Sequence, residues 1–395
     1  MTLHVLPIIE NDFNKTPIVP NFKFNPNKTL NGLYLNENYQ FVKKIGAGTY
    51  GLIYLVRDVL TDKKYAAKII LKEQVGTLHQ RDIENYKKFI CEKIYYEFIN
   101  KRITLEELNL DLIRDNGNNI SYLKELSIHL KVHQHPNVVT IHKVYNFDVG
   151  IITLMDYYEQ GDLFKNIVDN QIFDDNVLMM KNCILQIINI INYMKQCNVY
   201  HCDLKPENIM VRYNLNYQRN ENDDIINFKE LQIGIIDFGL SIEDSLICCN
   251  SCRGSSFYMA PERIVNYTKN DYIHSIMDLN EYSKREDDLM YFPTLKGDIW
   301  SIGILIINIT CARNPWPNSS IVPNNNDVFQ TYIYNNKSIL KKILPISMEF
   351  NSLLNKIFKL NPNERVDLKQ LYNDIINVDF FHDRLLTPPE SPRSI

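Results

Sequence analysis

The stretch Tyr200-His201-Cys202-Asp203-Leu204-Lys205-Pro206-Glu207-Asn208 places Asp203, Lys205 two residues on and Asn208 five residues on in one short Pro-containing loop. A carboxylate can take a proton from an attacking hydroxyl, an ammonium can balance charge on a group in flight, and an amide oxygen can hold a hard cation. Phosphoryl transfer from ATP asks a protein for those three services. A polar loop carrying these residues by chance is the plain alternative, so the rest of the chain must decide.

The bulk properties narrow the field. A chain of 395 residues accommodates two to three domains or one large two-lobed enzyme. With 45% hydrophobic and 23% charged residues it is ordinary globular material, and the high Asn and Ile content reads as compositional drift. A net charge of -4 and a pI near 6.2 supply no basic field for nucleic acid. The eight Cys lack a framework spacing, which suits reduced thiols and an intracellular setting. The N-terminal residues meet Glu10 and Asp12 early and have no basic start, unlike a signal peptide. The longest apolar run, Ile302 to Ile309, is too short for a membrane span. The expectation is a soluble monomer, cytoplasmic with the nucleus as a second compartment, that binds neither nucleic acid nor membrane.

Several elements must position the loop. Tyr39 to Ile70 holds two apolar-alternating runs around Gly46-Ala47-Gly48-Thr49-Tyr50-Gly51. Dinucleotide-binding folds use the same glycine spacing, but there it opens a helix, whereas Leu52-Ile53-Tyr54-Leu55-Val56 is dense in strand formers. No Lys-Ser/Thr follows the last glycine, which excludes a P-loop. Tyr65-Ala66-Ala67-Lys68 sets a lysine among apolar neighbours. Ile233-Gly234-Ile235-Ile236 is a strand that runs into Asp237-Phe238-Gly239, and Leu178 to Met194 has helical core spacing. Residues 1–38 are Asn- and Pro-rich and read as irregular. Residues 73–119 hold a charged, helix-favouring stretch (Asp82 to Arg102, apolar at Ile83, Tyr86, Phe89, Ile90 and Ile94) that breaks at Asp115 to Asn119. Ser121 to His133 is a further helix.

Taken in order, these segments resemble the eukaryotic protein-kinase family. The catalytic loop H-R-D-x-x-x-x-N is matched at His201, Asp203 and Asn208, with Cys202 where the family usually has Arg. The glycine loop, the V-A-I-K strand at Lys68, D-F-G at Asp237 and A-P-E at Ala260-Pro261-Glu262 follow in the family's sequence. Asp298-Ile299-Trp300-Ser301-Ile302-Gly303 resembles the buried central helix, and Arg365 the partner of Glu262. The segments H-P-N-V-V-T-I-H-K-V, Q-G-D-L-F, G-S-S-F-Y-M-A-P-E and I-T-C-A-R-N-P-W are similar to the fungal meiosis-inhibiting and glucose-signalling (Ran-type) kinases.

The resemblance implies an α+β fold: a small antiparallel-sheet N-lobe with one regulatory helix at 39–155, and a large, mainly helical C-lobe at 156–383. It leaves an N-terminal extension at 1–38, a flexible tail at 384–395, and insertions at about 73–119, 213–229 and 263–296. Asp203 and Lys205 are the implied catalytic pair, and Asn208 and Asp237 the implied ligands of Mg²⁺ (or Mn²⁺). ATP is expected against Ile45, Gly46, Gly48, Gly51, Ile53, Ala66, Lys68, Glu125, Met155, Asp156, Tyr158, Asp162 and Met210. Glu125 is the expected partner of Lys68, with Glu106 and Glu107 as competing carboxylates. Lys205 and Ser255 fit the Ser/Thr-specific pattern, and Asp162 and Glu207 suggest protein substrates with basic residues upstream of the phosphoacceptor. The tail's Thr387-Pro388 and Ser391-Pro392 are candidate phosphorylation sites, and Cys248, Cys249 and Cys252 cluster without a second C-x-x-C for zinc. Cys202 cannot pair with phosphate as an Arg there does, so activity independent of activation-segment phosphorylation is expected. The rival reading is a scaffold that binds ATP or partners without catalysis, although Lys68, Asp203 and Asp237 are all present.

Overall fold

The computed structural model describes residues 29–47, 51–72, 89, 92–99, 103–219, 225–285, 289–321 and 327–381. Gly48, Ile83, Tyr86, Ile90 and the tail's Thr387 and Ser391 lie outside the described residues. Contacts divide the chain into two units, Met1–Leu108 with His142–Tyr157, and Asn109–Ile141 with Tyr158–Ile395. Residues 109–141, which carry Glu125, thus group with the second unit, whereas the sequence reading assigns them to the 39–155 block.

The first unit is built on a six-stranded sheet: β1 (Tyr39–Ala47), β2 (Gly51–Asp58), β3 (Lys64–Leu71), β4 (Glu106–Leu108), β5 (Ile141–Phe147) and β6 (Gly150–Asp156). The strand order is β1-β2-β3-β6-β5-β4, and β1·β2, β2·β3, β3·β6 and β4·β5 pair antiparallel. Period-two alternation sends Phe41, Tyr54, Val56, Ala67, Ile69, Ile152 and Leu154 to one buried cluster. The insertion contributes to that core. Helical residues 92–99 bury Ile94 fully and set the Phe98 ring 5.2 Å from Phe41, edge to face. A buried side chain of this size contributes about 1.5–3 kcal/mol. β4 comes from the same insertion and extends the sheet, with Glu107 exposed and paired to Lys143 at 3.0 Å.

The second unit is mainly helical. Its principal elements are α1 (Leu110–Asn116), α2 (Lys124–Val132), α3 (Leu163–Val168), α4 (Val177–Gln196), the β7 (Ile209–Tyr213) and β8 (Leu231–Ile235) hairpin, α5 (Thr294–Cys311), α6 (Met348–Ile357) and α7 (Leu368–Asn377). Asn176 caps α4 by accepting the Met179 N–H, and Ile184, Ile187, Ile188 and Ile191 face the core. α5 has no charged residue after Asp298 and is buried on nearly every face. Both α4 and α5 are long and apolar enough to cross a bilayer, but 67% and 83% of their apolar windows are already covered by protein. The loop at 135–139 is stitched to β8, since Ile235 N–H donates to Asn137 O and Val139 N–H to Ile235 O.

A small sheet completes this unit. β9 (Leu246–Cys248), β10 (Ser283–Lys284) and β11 (Met290–Pro293) run in the order β10-β11-β9. The register pairs Cys248 with Tyr291, Ile247 with Phe292 and Leu246 with Pro293. The 263–296 stretch is therefore more than a linker: its β11 is hydrogen-bonded to the segment that follows Asp237-Phe238-Gly239.

Candidate active site

The loop at 200–208 is held from three sides. Tyr200 and Ile242 exchange backbone hydrogen bonds at 2.9 and 3.0 Å, which ties the loop to the segment after Gly239. Asp298, at the start of α5, accepts the His201 N–H on Oδ2 (3.0 Å) and the Cys202 N–H on Oδ1 (3.1 Å). Cys202 itself has φ +65°, a left-handed conformation that a non-glycine residue adopts at a cost of about 1–3 kcal/mol. The two bonds to Asp298 hold that strain in place. The 3₁₀ turn Pro206–Asn208 then uses the fixed φ of proline at its first position.

These restraints converge on the Asp203 carboxylate, which is buried. Its Oδ1 accepts the Ser255 backbone N–H at 2.7 Å, and its Oδ2 accepts Lys205 Nζ at 2.9 Å and Asn208 Nδ2 at 3.2 Å. Lys205 Nζ also donates to Ser255 Oγ at 2.9 Å, and Asn208 Nδ2 to Asp203 O at 2.9 Å. Burial works against the charge on Asp203, but the hydrogen bonds from Lys205 and Ser255 outweigh it and hold the carboxyl below its usual range. The result is an ionised carboxylate with a cation and a hydroxyl side chain beside it.

Asp237 is exposed, has φ +64°, and accepts the Gly239 N–H on Oδ1 at 3.3 Å. The Ile236 N–H donates to Asn208 O at 3.0 Å, so the two oxygen-bearing residues are set by one shared hydrogen bond. No group of three His, Cys, Asp or Glu suited to a metal ion occurs among the described residues. One carboxylate and one amide oxygen, with phosphates and water completing the shell, is a donor set that fits Mg²⁺. Phe238 is fully buried, stacked 4.5 Å from His129 of α2 and 5.3 Å from His201. Glu125, in the first turn of α2, places its carboxylate beside Gly239, where an added Cβ would lie 3.7 Å from Oε2.

The remaining candidates of the second unit fall as follows. Tyr158 is buried under the Arg212 guanidinium, 4.5 Å from its ring centre, and its hydroxyl packs on β8 at Gly234. Asp162 caps α3 through Oδ1, which accepts the Lys165 N–H at 2.8 Å, and it bridges Met210 of β7. In the first unit, Gly46 lies opposite Ile53, Ala66 opposite Leu55 and Met155, and Lys68 opposite Ile53 and Thr153 at the middle of β3. Gly51 opens β2, Ile45 is partly exposed on β1, and Asp156 turns its Oδ1 to His142 Nε2 at 2.7 Å.

Three features escaped sequence reasoning. Arg263 is a buried cation that reaches Cys202 O, Thr294 O and Asp298. Lys131 of α2 pairs with Glu243, which also accepts from Asn118 Nδ2 at 2.5 Å. β11 pairs with β9. Each joins residues far apart in the chain, and none has a local sequence pattern of its own. The expected Glu262 to Arg365 pair is fully buried and two-pronged, at 2.7 and 2.6 Å.

An antiparallel-sheet unit and a mainly helical unit carrying the Asp203, Lys205 and Asn208 loop, tied to the strand before Asp237 by the Ile236 N–H on Asn208 O, fit the two-lobed α+β fold of protein kinases. A protein kinase domain matches residues 91–375. The serine/threonine-protein kinase VHS1 of Saccharomyces cerevisiae is 35% identical over 362 residues, covering 87% of this chain and 71% of the relative. The serine/threonine-protein kinase SKS1 of the same yeast is 34% identical over 363 residues, covering 88% of this chain and 66% of the relative. The negative regulator of sexual conjugation and meiosis of Schizosaccharomyces pombe is 30% identical over 367 residues, covering 92% and 65%. The chain belongs to the protein kinase family and is a serine/threonine protein kinase.

Proposed function

We propose that this kinase transfers the γ-phosphoryl of ATP to Ser and Thr hydroxyls of proteins, with Asp203 as the group that orients the hydroxyl and accepts its proton. The observation that carries the reading is the Asp203 carboxylate, held ionised between Lys205, Asn208 and Ser255. Lys205 offsets charge on the phosphoryl in flight. Asn208 and Asp237 would hold Mg²⁺, which supplies charge neutralisation on the phosphates. Lys68 is the residue for the α- and β-phosphates, and Ala66 and Met155 are residues for the adenine. Most of the acceleration comes from positioning and fixed electrostatics.

Activity does not depend on phosphorylation of the activation segment. Cys202 stands where an arginine would meet phosphate; its thiol is buried, and burial pushes its pKa up to about 12. The segment has other anchors: the β9 to β11 pairing, the Thr294 N–H on Ser245 O at 2.8 Å, and the Lys131 to Glu243 pair. Substrates carry basic residues upstream of the phosphoacceptor, met by the exposed Glu207. The enzyme works as a cytoplasmic and nuclear monomer. Purified protein with Mg²⁺, labelled ATP and a basic Ser/Thr peptide tests the reading: phosphoserine and phosphothreonine appear without an added activating kinase, and chelation abolishes them. Label on tyrosine alone, or none, contradicts it.

A further inference from the structure

Arg263 lies just beyond Ala260-Pro261-Glu262, in the short helix Pro261–Ile264, and only 1% of it is exposed. Its Nη1 donates to Cys202 O at 3.3 Å, and its Nη2 donates to Thr294 O at 2.8 Å and Asp298 Oδ1 at 3.3 Å. One guanidinium thereby touches the catalytic loop and two points in the first turns of α5. Burial disfavours its charge, but the carboxylates of Asp298 and Glu262 favour it, and the group stays cationic. Space for it comes from Gly297, where an added Cβ would sit 2.4 Å from Nε and Nη2. Asp298 is the carboxylate that clamps the His201 and Cys202 amides, so its orientation is set by Arg263. Cys202 O, held by Arg263, also lies 2.6 Å from where a Cβ on Gly254 would be, and Gly254 has φ +121°. No side chain but hydrogen fits there, and the next residue, Ser255, gives Asp203 its backbone N–H.

We propose that Arg263 is a positioning residue for phosphoryl transfer: through Cys202 O and Asp298 it fixes the backbone that aims Asp203 and seats Gly254-Ser255 against it. The chain has no cation at the position before Asp203 and has one at the position after Glu262. There it is an internal, permanent brace, sealed from solvent and closed to phosphate. Gly297 is the small residue that makes room for it. This assignment rests only on the chain being a kinase, and holds whether or not the activation segment is phosphorylated.

The test is steady-state kinetics on the full chain for Arg263→Lys and Gly297→Ala, with thermal midpoints taken alongside. Lysine keeps the charge but cannot reach three acceptors in a plane. The alanine methyl displaces the guanidinium without removing it. The proposal predicts that kcat falls about tenfold or more while KM for ATP moves less than about threefold, as expected for misaimed reacting groups. A residue that only stabilises the fold would lower the thermal midpoint and leave kcat per folded molecule unchanged; that result overturns the proposal. Arg263→Lys failing to fold leaves Gly297→Ala to decide on the same readouts.

Discussion

Asp203 Oδ1 accepts the Ser255 backbone N–H at 2.7 Å, so the 200–208 loop and the segment leading to Ala260-Pro261-Glu262 are joined at this carboxylate. Lys205 closes the triangle, donating to Asp203 Oδ2 and Ser255 Oγ, each at 2.9 Å. A segment that moves away takes a hydrogen bond from Asp203.

Asp203 titrates below the ordinary carboxylate range, because the bonds from Lys205 and Ser255 favour its charged form over the cost of burial. The acidic limb of the kcat profile should lie below the unperturbed Asp value of about 3.9 or be masked by acid unfolding. Lys205→Met should raise it. Since the folded pKa is the lower one, the charge stabilises the native state above the unfolded pKa, and that stability is lost as pH falls through the folded value. Kinetics and urea melts between about pH 3 and 7 check both statements.

Glu262 and Arg365 form a pair with both side chains at most 1% exposed, and Arg365 spends its other donors on Lys296 O and Lys359 O. Removing one partner leaves a buried charge alone. Arg365→Met should cost about 3–5 kcal/mol in a denaturant titration, and Arg365→Met with Glu262→Leu should recover part of it. A loss of under about 1 kcal/mol for the single change, as at an exposed pair, would show that the pair is not shielded from water.

Ser245 and Ser256 are exposed, and Ser251 Oγ has no hydrogen-bond partner, whereas Ser241 Oγ donates to His201 O at 3.1 Å and is buried. The variant Ser245→Ala, Ser251→Ala, Ser256→Ala therefore removes the phosphorylatable serines of this segment that bear no structural load. It should keep kcat within about twofold of the parent, in line with the small effects of surface substitutions. A collapse restored by Glu at one of the three positions would mean that phosphate is needed.

Glu207 is exposed at the turn Pro206–Asn208, while Asp162 Oδ1 is engaged as the cap of α3. Glu207→Gln should flatten the preference for Arg or Lys upstream of the phosphoacceptor on a peptide array, by about 0.3–1 kcal/mol per lost exposed pair, and leave KM for ATP unchanged. An unaltered array would place basic-residue recognition elsewhere.

How much of this was legible in the sequence depends on distance along the chain. The Asp203, Lys205 and Asn208 cluster is written within six residues, and the glycine loop, Lys68 and Asp237 each sit in a short pattern of their own. Glu125 was placed by the helix and the His135-Pro136-Asn137 loop after it, although contacts group that helix with the second unit. The absence of arginine at 202 was equally plain. Its structural counterpart was not, because Arg263 meets Cys202 61 residues away and Asp298 35 residues away, and one more Arg after A-P-E carries no period or motif. Strand β11 was missed for a related reason: a four-residue strand in a charge-rich stretch has too few positions for alternation to show. Part of the 73–119 insertion reads as surface by its charge, yet Ile94 is in the core, since a helix of mixed composition hides its buried stripe until its neighbours are known.

The most direct measurement is phosphoryl transfer to a Ser/Thr peptide by the parent protein and by Asp203→Asn, with ATP binding followed on both by thermal shift. Asn208 and Lys205 remain, so the variant should fold and bind nucleotide as the parent does. Transfer should fall about 10²–10⁴-fold, the usual range for removing a positioned base. Equal transfer by both proteins would contradict the role given to Asp203, and with it the account of the site.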